Sequence, residues 1–412
     1  MISYHRFILD NGLKVLFHYD NSCTMAVVNT LYDVGARDEN PNKTGFAHLF
    51  EHLMFGGSKN IQDFDNVLQN AGGESNAFTS NDITNYYDLI PTPNIETALW
   101  LESDRMLSLS FLEKSLNVQK NVVIEEFKQR YLNQPYGDVW LKLRPLCYKT
   151  HPYQWATIGK EIAHIEQATL QDVKDFFFQH YAPNTAILTI AGNIQKEYVE
   201  DVVNKWYRDI PSVEKKIRNI EKEVVQSDFR QLTIERKVPQ DAFYYAFKMQ
   251  KRNEKGYILT DLLSDYLAGD KSSVLYQTFV KEKKYCTEIQ SYILGSLDEG
   301  LLLISGKISP GISLEEINTY IWEKIEQLKI KSIDEKELSK LKNKFLTSKE
   351  FQDQSTLNRA MNLSFFELLG NVDTINKEFD EYLKIDINSF HLNLNHILKQ
   401  SSCSLLQVKA IS

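Results

Sequence analysis

One stretch of this sequence is more informative than any other: GFAHLFEHLMF, residues 45–55. If the stretch is helical, His48 and His52 lie one turn apart and point in the same direction. Glu51 is three residues from His48, so its carboxylate reaches the space between the two imidazoles. Two neutral imidazoles on one helical face are half of a zinc site, and a nearby carboxylate that is not a ligand can act as general base.

A histidine pair on an apolar helix is more often a packing or surface feature than a metal site, so this alternative has to be weighed. The chain has nine histidines in 412 residues, and two of them at this spacing around a glutamate rarely arise by chance. The rest of the stretch is apolar, which leaves three polar side chains in a helix that the pattern predicts to be buried. Because buried polar groups need partners, the stretch favours a metal site.

A zinc enzyme needs a third protein ligand and an open fourth coordination position. The candidate comes from the segment QKNVVIEEFKQ, residues 119–129. Glu126 shares a helical rhythm with the valines before it and can face inward, whereas Glu125 is turned about 100° away. The chemistry alone does not choose between these two carboxylates, and both could be solvated charges on an ordinary amphipathic helix.

With these residues the chain resembles the inverzincins, the inverted-motif zinc peptidases that include pitrilysin, insulin-degrading enzyme and mitochondrial processing peptidase. The similarity covers essentially the whole chain, which looks like a short, bacterial-type member with one half of the longer enzymes. Besides the two segments above, it includes NAFT at 76–79 with TNYY at 84–87, and YAPN at 181–184 before an apolar strand.

The resemblance implies that His48, His52 and Glu126 hold one zinc ion per chain and that Glu51 is the general base. One position departs from the family pattern. Many relatives carry a further glutamate seven residues before the third ligand, and this chain has Gln119 there. Groups around a metal site tune the basicity of its ligands, so we expect an altered zinc affinity or rate with the three ligands themselves complete.

The implied activity is that of a zinc-dependent metalloendopeptidase, which hydrolyses peptides or small unfolded protein segments with zinc-activated water. An extended substrate can pair with an edge strand, and the resemblance assigns this role to Asn76, Ala77 and Phe78. Ordinary hairpin packing is the alternative for these three residues. A non-catalytic subunit that binds peptides or scaffolds a complex is the alternative for the whole chain, although such relatives typically lose ligands that this chain keeps.

The resemblance also implies a partner. In this family, the half that closes over the active site carries an arginine and a tyrosine seven residues apart. The matching stretch here, residues 279–288, has Lys281 and Glu288 at those positions. We therefore expect a second, related chain to supply the arginine and tyrosine in a heterodimer, and a homodimer is the alternative.

The order of elements predicts an α+β protein with two similar domains, each a mainly antiparallel sheet packed with helices; the resemblance makes the pair half of a clamshell. We expect a catalytic domain at 1–209, an exposed linker at 210–225, and a second domain at 226–412 without metal-binding residues. Predicted strands cover 13–18, 25–32, 75–79, 84–90, 186–191, 232–235, 242–249, 289–294 and 301–307. Predicted helices cover 44–57, 61–71, 94–107, 112–132, 257–267 and 314–328, with another from 170 and more towards the C-terminus.

Composition excludes several other classes of function. The net charge is −8 with both signs mixed along the chain, which disfavours nucleic-acid binding. No run approaches the roughly 18 apolar residues of a membrane span, and the first residues lack the apolar core of a signal peptide. The four cysteines (Cys23, Cys147, Cys286 and Cys403) are scattered, which favours reduced thiols and a cytoplasmic protein.

Overall fold

The computed structural model describes residues 1–214, 218–331 and 333–411, and within these ranges the chain forms two sheets. The strands of the first sheet are β1 (His5–Ile8), β2 (Lys14–Tyr19), β3 (Met25–Tyr32), β4 (Glu74–Thr79), β5 (Thr84–Pro91) and β6 (Ala186–Gly192). Their order across the sheet is β1-β2-β6-β3-β5-β4. Among the described strands of this sheet, β2 and β6 are the one parallel pair of neighbours.

The second sheet repeats this arrangement. Its strands are β7 (Arg230–Arg236), β8 (Ala242–Met249), β9 (Cys286–Leu294), β10 (Gly300–Ile308) and β11 (Cys403–Ala410). They follow the order β7-β11-β8-β10-β9, with one parallel pair, β7 and β11. Without β1, the first sheet has the same order and the same place for its parallel pair. The prediction of two similar, mainly antiparallel sheets in an α+β protein is therefore confirmed.

Helices follow the strands in both halves of the chain, and π-helical turns occur at Lys128–Leu132 and Tyr276–Glu282. The α-helices of the first half are α1 (Phe46–Leu53), α2 (Phe64–Asn70), α3 (Ile95–Leu107), α4 (Glu113–Phe127), α5 (Val139–Cys147), α6 (Ile162–Glu166), α7 (Leu170–His180) and α8 (Lys196–Tyr207). Those of the second half are α9 (Gly256–Ala268), α10 (Leu314–Ile330), α11 (Glu335–Gln352), α12 (Thr356–Leu368), α13 (Glu378–Leu383) and α14 (Ile387–Ile397).

Packing groups the described residues into two units. Two segments, Lys128–Gln154 and Lys349–Glu378, are exchanged: each belongs to a different unit from the residues before and after it in sequence. The first unit contains Met1–Phe127, Trp155–Ile220 and Lys349–Glu378, and the second contains Lys128–Gln154, Glu221–Ser348 and Phe379–Ser412. The two exchanged segments have no counterpart in the sequence-based division at 210–225. That division stays a prediction, and residues 215–217 of the proposed linker lie outside the described residues.

Helix α12 is the clearest case of an exchanged segment, because it comes late in the sequence and packs on the first sheet. Its Leu363 and Phe366 are buried against apolar side chains of β2, β3 and β6. The hydroxyl of Ser364 accepts a hydrogen bond from Asn29 Nδ2 at 2.9 Å and lies 2.7 Å from the hydroxyl of Thr189. All these groups are buried, so the sheet and α12 form one core.

Several predicted elements have different bounds in the structure. The predicted helix 44–57 is limited to α1: Gly45 enters it with a left-handed φ of 90°, and the helix ends at Leu53, before Gly57 with its φ of 94°. The predicted helix 112–132 ends at Phe127 and continues as the π-helical turn. Strands β1 and β11 and helices α5, α6 and α8 have no counterpart in the sequence-based assignment.

Candidate active site

Helices α1 and α4 bring three predicted metal ligands together in the first unit. The rings of His48 and His52 lie on one face of α1, with centroids 4.9 Å apart and planes at 83°. The Oε2 atom of Glu126, on α4, lies 3.6 Å from His48 Nε2 and 3.5 Å from His52 Nε2. The three side chains are 12%, 24% and 18% exposed respectively, so the cluster is accessible to solvent.

The spacing and chemistry of this cluster fit a metal ion. Its ligand atoms lie within 4.8 Å of one another, and it is the one such group in the part of the chain that the structure describes. A tetrahedral zinc ion with ligands at about 2.0–2.1 Å separates them by roughly 3.3 Å, close to the two measured distances. Three atoms with lone pairs repel one another at this spacing unless a cation or proton lies between them. Two imidazoles and a carboxylate are also a known catalytic zinc set.

The structure distinguishes the two adjacent carboxylates that sequence reasoning left open. Glu126 faces the histidines and Glu125 lies on the exposed side of α4. The two valines before them also differ in burial: Val123 is buried and Val122 is exposed. Gln119 is half-buried two turns before Glu126 on the same helix.

Glu51, the predicted general base, is held by a hydrogen bond from a residue of the first sheet. Its Oε2 accepts a hydrogen bond from Thr79 Oγ1 at 2.6 Å, and Thr79 is the last residue of β4. Glu51 lies on α1 between the two histidines in sequence but is not one of the three clustered residues. The hydroxyl therefore fixes the direction of a carboxylate that stands beside the cluster.

Aromatic packing fixes the apolar side of α1. The ring of Phe50 is stacked on Tyr181, with centroids 5.0 Å apart, and on Phe176 of α7 at 5.1 Å. The hydroxyl of Tyr86, on β5, donates to the Phe50 carbonyl oxygen at 3.2 Å. The apolar residues around the histidine motif thus bury one side of α1, and the two imidazoles are left on the other.

The N-terminus of α1 is capped by a residue that the sequence did not suggest. Sequence reasoning placed the start of the helix near Thr44, a plausible cap, but the Thr44 hydroxyl lies 2.8 Å from His164 Nδ1 instead. Gly45 holds the cap position and has no side chain to contribute. Glu39 accepts hydrogen bonds from the backbone N–H of Gly45 at 2.9 Å and of Ala47 at 2.8 Å.

Glu39 lies in a closed environment. It is 5% exposed, and its Oε2 also accepts a hydrogen bond from Trp155 Nε1 at 3.1 Å. Burial raises the pKa of Glu39 to about 8 because the charged form loses its solvation. No local pattern identifies this residue in the sequence, since it lies six residues before the cap position and outside any helix.

Arg105 is a second residue that the sequence gave no reason to select. It is fully buried on α3, makes an ion pair with Glu102, and lies over the rings of Phe64 and Tyr86 at 4.5 Å from each centroid. It also lies 5.3 Å from the ring of Phe55, just after α1. Arg105 therefore supports both the end of the histidine segment and the tyrosine that bonds to α1.

The predicted substrate-binding residues lie on β4, at the edge of the first sheet. Asn76 and Phe78 are exposed and Ala77 is half-buried, with Phe78 40% exposed. The side-chain oxygen of Asn76 accepts a hydrogen bond from the Ala77 N–H at 2.8 Å. Among the residues that the structure describes, β4 pairs with β5 alone, which leaves its other edge open to an extended chain.

The two positions in the second half that depart from the family pattern are exposed. Lys281 lies in the π-helical turn and Glu288 lies on β9, the edge strand of the second sheet. The carboxylate of Glu288 pairs with Lys307 at 3.0 Å. Two exposed charges therefore stand where relatives are expected to carry an arginine and a tyrosine.

Comparisons with known proteins agree with this fold. A family profile described as insulinase (peptidase family M16) matches residues 14–142, and one described as peptidase M16 inactive domain matches residues 167–345. The zinc protease PqqE of Helicobacter pylori is 31% identical over 340 residues, which cover 81% of this chain and 76% of the relative. The beta subunit of the Saccharomyces cerevisiae mitochondrial-processing peptidase is 30% identical over 210 residues, covering 50% and 45% respectively.

A solved structure extends the agreement to the whole chain. The crystal structure of a protease from Helicobacter pylori superposes with a TM-score of 0.94 at 27% identity, covering 99% of this chain and 100% of that one. Fold and sequence together show that the class of protein is that of the peptidase families. More narrowly, the chain belongs to the insulinase family of peptidases, M16.

Proposed function

We propose that this chain is a zinc-dependent metalloendopeptidase that hydrolyses peptides or small unfolded protein segments. The observation that carries the proposal is the convergence of His48, His52 and Glu126. Glu51, on the helix of the two histidines, is held beside them by the Thr79 hydroxyl. The Helicobacter relative is named a zinc protease, which supports both the metal and the type of reaction.

The roles of the residues follow from their chemistry. When bound by the two histidines and Glu126, zinc would polarise the peptide carbonyl and make water a stronger acid. Glu51 would accept the proton of the attacking water and pass it to the leaving amine. Thr79 would keep the Glu51 carboxylate oriented through its 2.6 Å hydrogen bond.

Substrate would add to the open edge of β4 as an extended strand. In this proposal the Ala77 N–H exchanges the Asn76 side-chain oxygen for a carbonyl oxygen of the peptide, so Asn76 protects that donor until substrate binds. Phe78, which is 40% exposed, offers an apolar contact to a substrate side chain. Asn76, Ala77 and Phe78 are accordingly the proposed substrate-binding residues.

A second, related chain would complete the enzyme as a heterodimer. Lys281 and Glu288 do not offer the arginine and tyrosine expected at their positions, and one relative of this chain is by name a subunit. Size-exclusion chromatography of the purified chain, combined with a peptidase assay, tests this proposal. A fully active homodimer would refute the heterodimer.

The cytoplasm is the proposed compartment. All four cysteines are free thiols, and three of them are buried, as expected in a reducing environment. Within the described ranges, none of the helices is both long enough and apolar enough to cross a bilayer. Nucleic acid is not a proposed partner, because the net charge is −8.

The decisive experiment uses adjacent glutamates as a matched pair. After metal removal and reconstitution, Glu126→Ala and His52→Ala should lose the bound zinc, while Glu125→Ala should keep it, because Glu125 is on the exposed side of α4. Glu51→Gln should retain zinc and lose hydrolysis of a quenched-peptide panel, since the ligands remain and the base is gone. Zinc content is measured by atomic absorption.

Two results would contradict the proposal in different ways. Retention of zinc by Glu126→Ala would contradict the proposed metal site. Hydrolysis at the native rate by Glu51→Gln would be compatible with the proposed metal site but would contradict the role of Glu51 as the base. A wild-type chain that binds zinc and peptide but hydrolyses none of the panel, with or without its co-purified partner, would instead be a peptide-binding subunit.

A further inference from the structure

The helix that carries both histidines has little stability of its own. It has eight residues, and its cap position is a glycine in a left-handed conformation with no side-chain hydrogen bond. The first N–H groups of any helix lack partners within the helix, and a short helix has few other bonds to offset them. In α1 two of these donors, the N–H groups of Gly45 and Ala47, are satisfied by Glu39, a residue six positions before the cap.

The contacts of Glu39 involve the turn that holds His48. Its two oxygens accept from the N–H groups of Gly45 and Ala47, and His48 follows Ala47 directly. On the far side, Trp155 Nε1 donates to Glu39 at 3.1 Å and to the Ala36 carbonyl oxygen at 2.9 Å. The buried Glu39 side chain therefore connects the first turn of α1 to the loop before it and to a distant tryptophan.

The position of His48 depends on this turn, whereas His52 and Glu126 are fixed by other contacts. His52 is one turn further on, two residues after Phe50, whose carbonyl oxygen is bound by Tyr86. Glu126 lies on a separate helix of fifteen residues. If the first turn of α1 frays, His48 Nε2 moves away from the other two ligand atoms. Metal sites tolerate errors of only about 0.5 Å in ligand position.

We propose that Glu39 is a positioning residue of the metal centre, which holds the first turn of α1 so that His48 stays at ligand distance from His52 and Glu126. This inference rests on the proposed zinc binding and adds a residue that no ligand motif contains. Glu39 is buried and is not one of the three clustered ligand residues, so its effect should appear in the affinity and geometry of the metal site.

The test compares metal binding in Glu39→Ala, Glu39→Gln and a matched control. Asp63→Ala is that control, because Asp63 Oδ1 accepts from the Asn66 N–H at 3.0 Å and caps α2, a neighbouring helix without ligands. Zinc affinity is measured by competition with a chromophoric chelator. Cobalt(II) absorption, which reports coordination geometry, is recorded for each variant.

We expect Glu39→Ala to lose at least about tenfold in zinc affinity, the lower end of what groups supporting metal ligands contribute. Its cobalt spectrum should differ from that of the wild type. Glu39→Gln keeps one acceptor oxygen and should lose less affinity, and Asp63→Ala should bind zinc like the wild type. Wild-type affinity and an unchanged cobalt spectrum in Glu39→Ala would overturn the inference while leaving the proposed function intact.

The test also holds if Glu39→Ala fails to fold, as judged by circular dichroism. Trp155→Phe then removes the third hydrogen bond to Glu39 while it keeps most of the buried ring. Trp155→Phe and Glu39→Gln, each as a single substitution, should weaken zinc binding by about threefold. This loss is somewhat smaller than the usual net contribution of one hydrogen bond to stability. Wild-type zinc affinity in both variants would overturn the inference. Failure of the wild type itself to bind zinc would overturn the proposed function and the inference together.

Discussion

The buried carboxylate of Glu39 should make the folded protein less stable as the pH rises through neutrality. Burial raises its pKa from the ordinary value of 4.5 to about 8. Between these values the folded state keeps a proton that the unfolded state releases, so the free energy of unfolding falls with increasing pH. The full shift corresponds to at most about 5 kcal/mol, a large part of the 5–15 kcal/mol typical of a folded protein.

Glu39→Gln isolates this contribution because glutamine does not titrate. Urea unfolding is followed between about pH 5 and pH 8 in the presence of a chelator, so that metal binding to the histidines does not contribute. In this range the wild-type slope should be steeper than the variant's by up to about 1.4 kcal/mol per pH unit, the value for one proton. The pKa of Asp38 is also raised by burial, but Asp38 is present in both proteins. Equal slopes would refute the assignment of the proton to Glu39.

Three other substitutions test separate parts of the structure. Thr79→Val removes the hydrogen bond to Glu51 and should lower kcat about fivefold at unchanged zinc content, since one hydrogen bond contributes about 1 kcal/mol; steady-state assays measure kcat and atomic absorption measures zinc. Ser364→Ala removes a buried partner of two polar groups and should lower the free energy of unfolding in urea by about 1–3 kcal/mol for each group. Burial lowers the pKa of Lys248, over the Tyr148 ring, to about 8, so stability should rise with pH between about 8 and 10.5; Lys248→Met should abolish this rise in urea titrations.

The elements that the sequence predicted well are those whose local pattern and burial agree. Strands β3 and β8 have the predicted bounds, because β3 is rich in β-branched residues and β8 in aromatic residues, and both lie in the middle of a sheet. Strand β11 was missed although it is equally central. It lies between β7 and β8, which are more than 150 residues earlier in the chain, and its neighbours in sequence are helices. Long-range pairing gives such a strand its place, and a local pattern does not show it.

The same distinction applies to the candidate site. Spacing alone suggested His48, Glu51 and His52, because an α-helix converts a spacing of four residues into a shared face. The choice of Glu126 over Glu125 needed the family resemblance or the coordinates, since both fit a helical pattern. Neither the spacing nor the family resemblance pointed to Glu39. Its proposed function depends on the path of the backbone, which brings the side chain of this loop residue to the start of α1.

The second sheet shows why the fold by itself does not define a metal site. Helix α9 follows β8 as α1 follows β3, so it occupies the same place in the repeated topology. It contains no histidine, and its Thr260 donates to Gln250 at 2.9 Å and accepts from Asn393 at 3.0 Å, within the interior of the second unit. A polar helix face can thus be satisfied by the protein alone. The proposed chemistry therefore depends on three side chains and the contacts that hold them, because the strand order would assign a site to both halves equally.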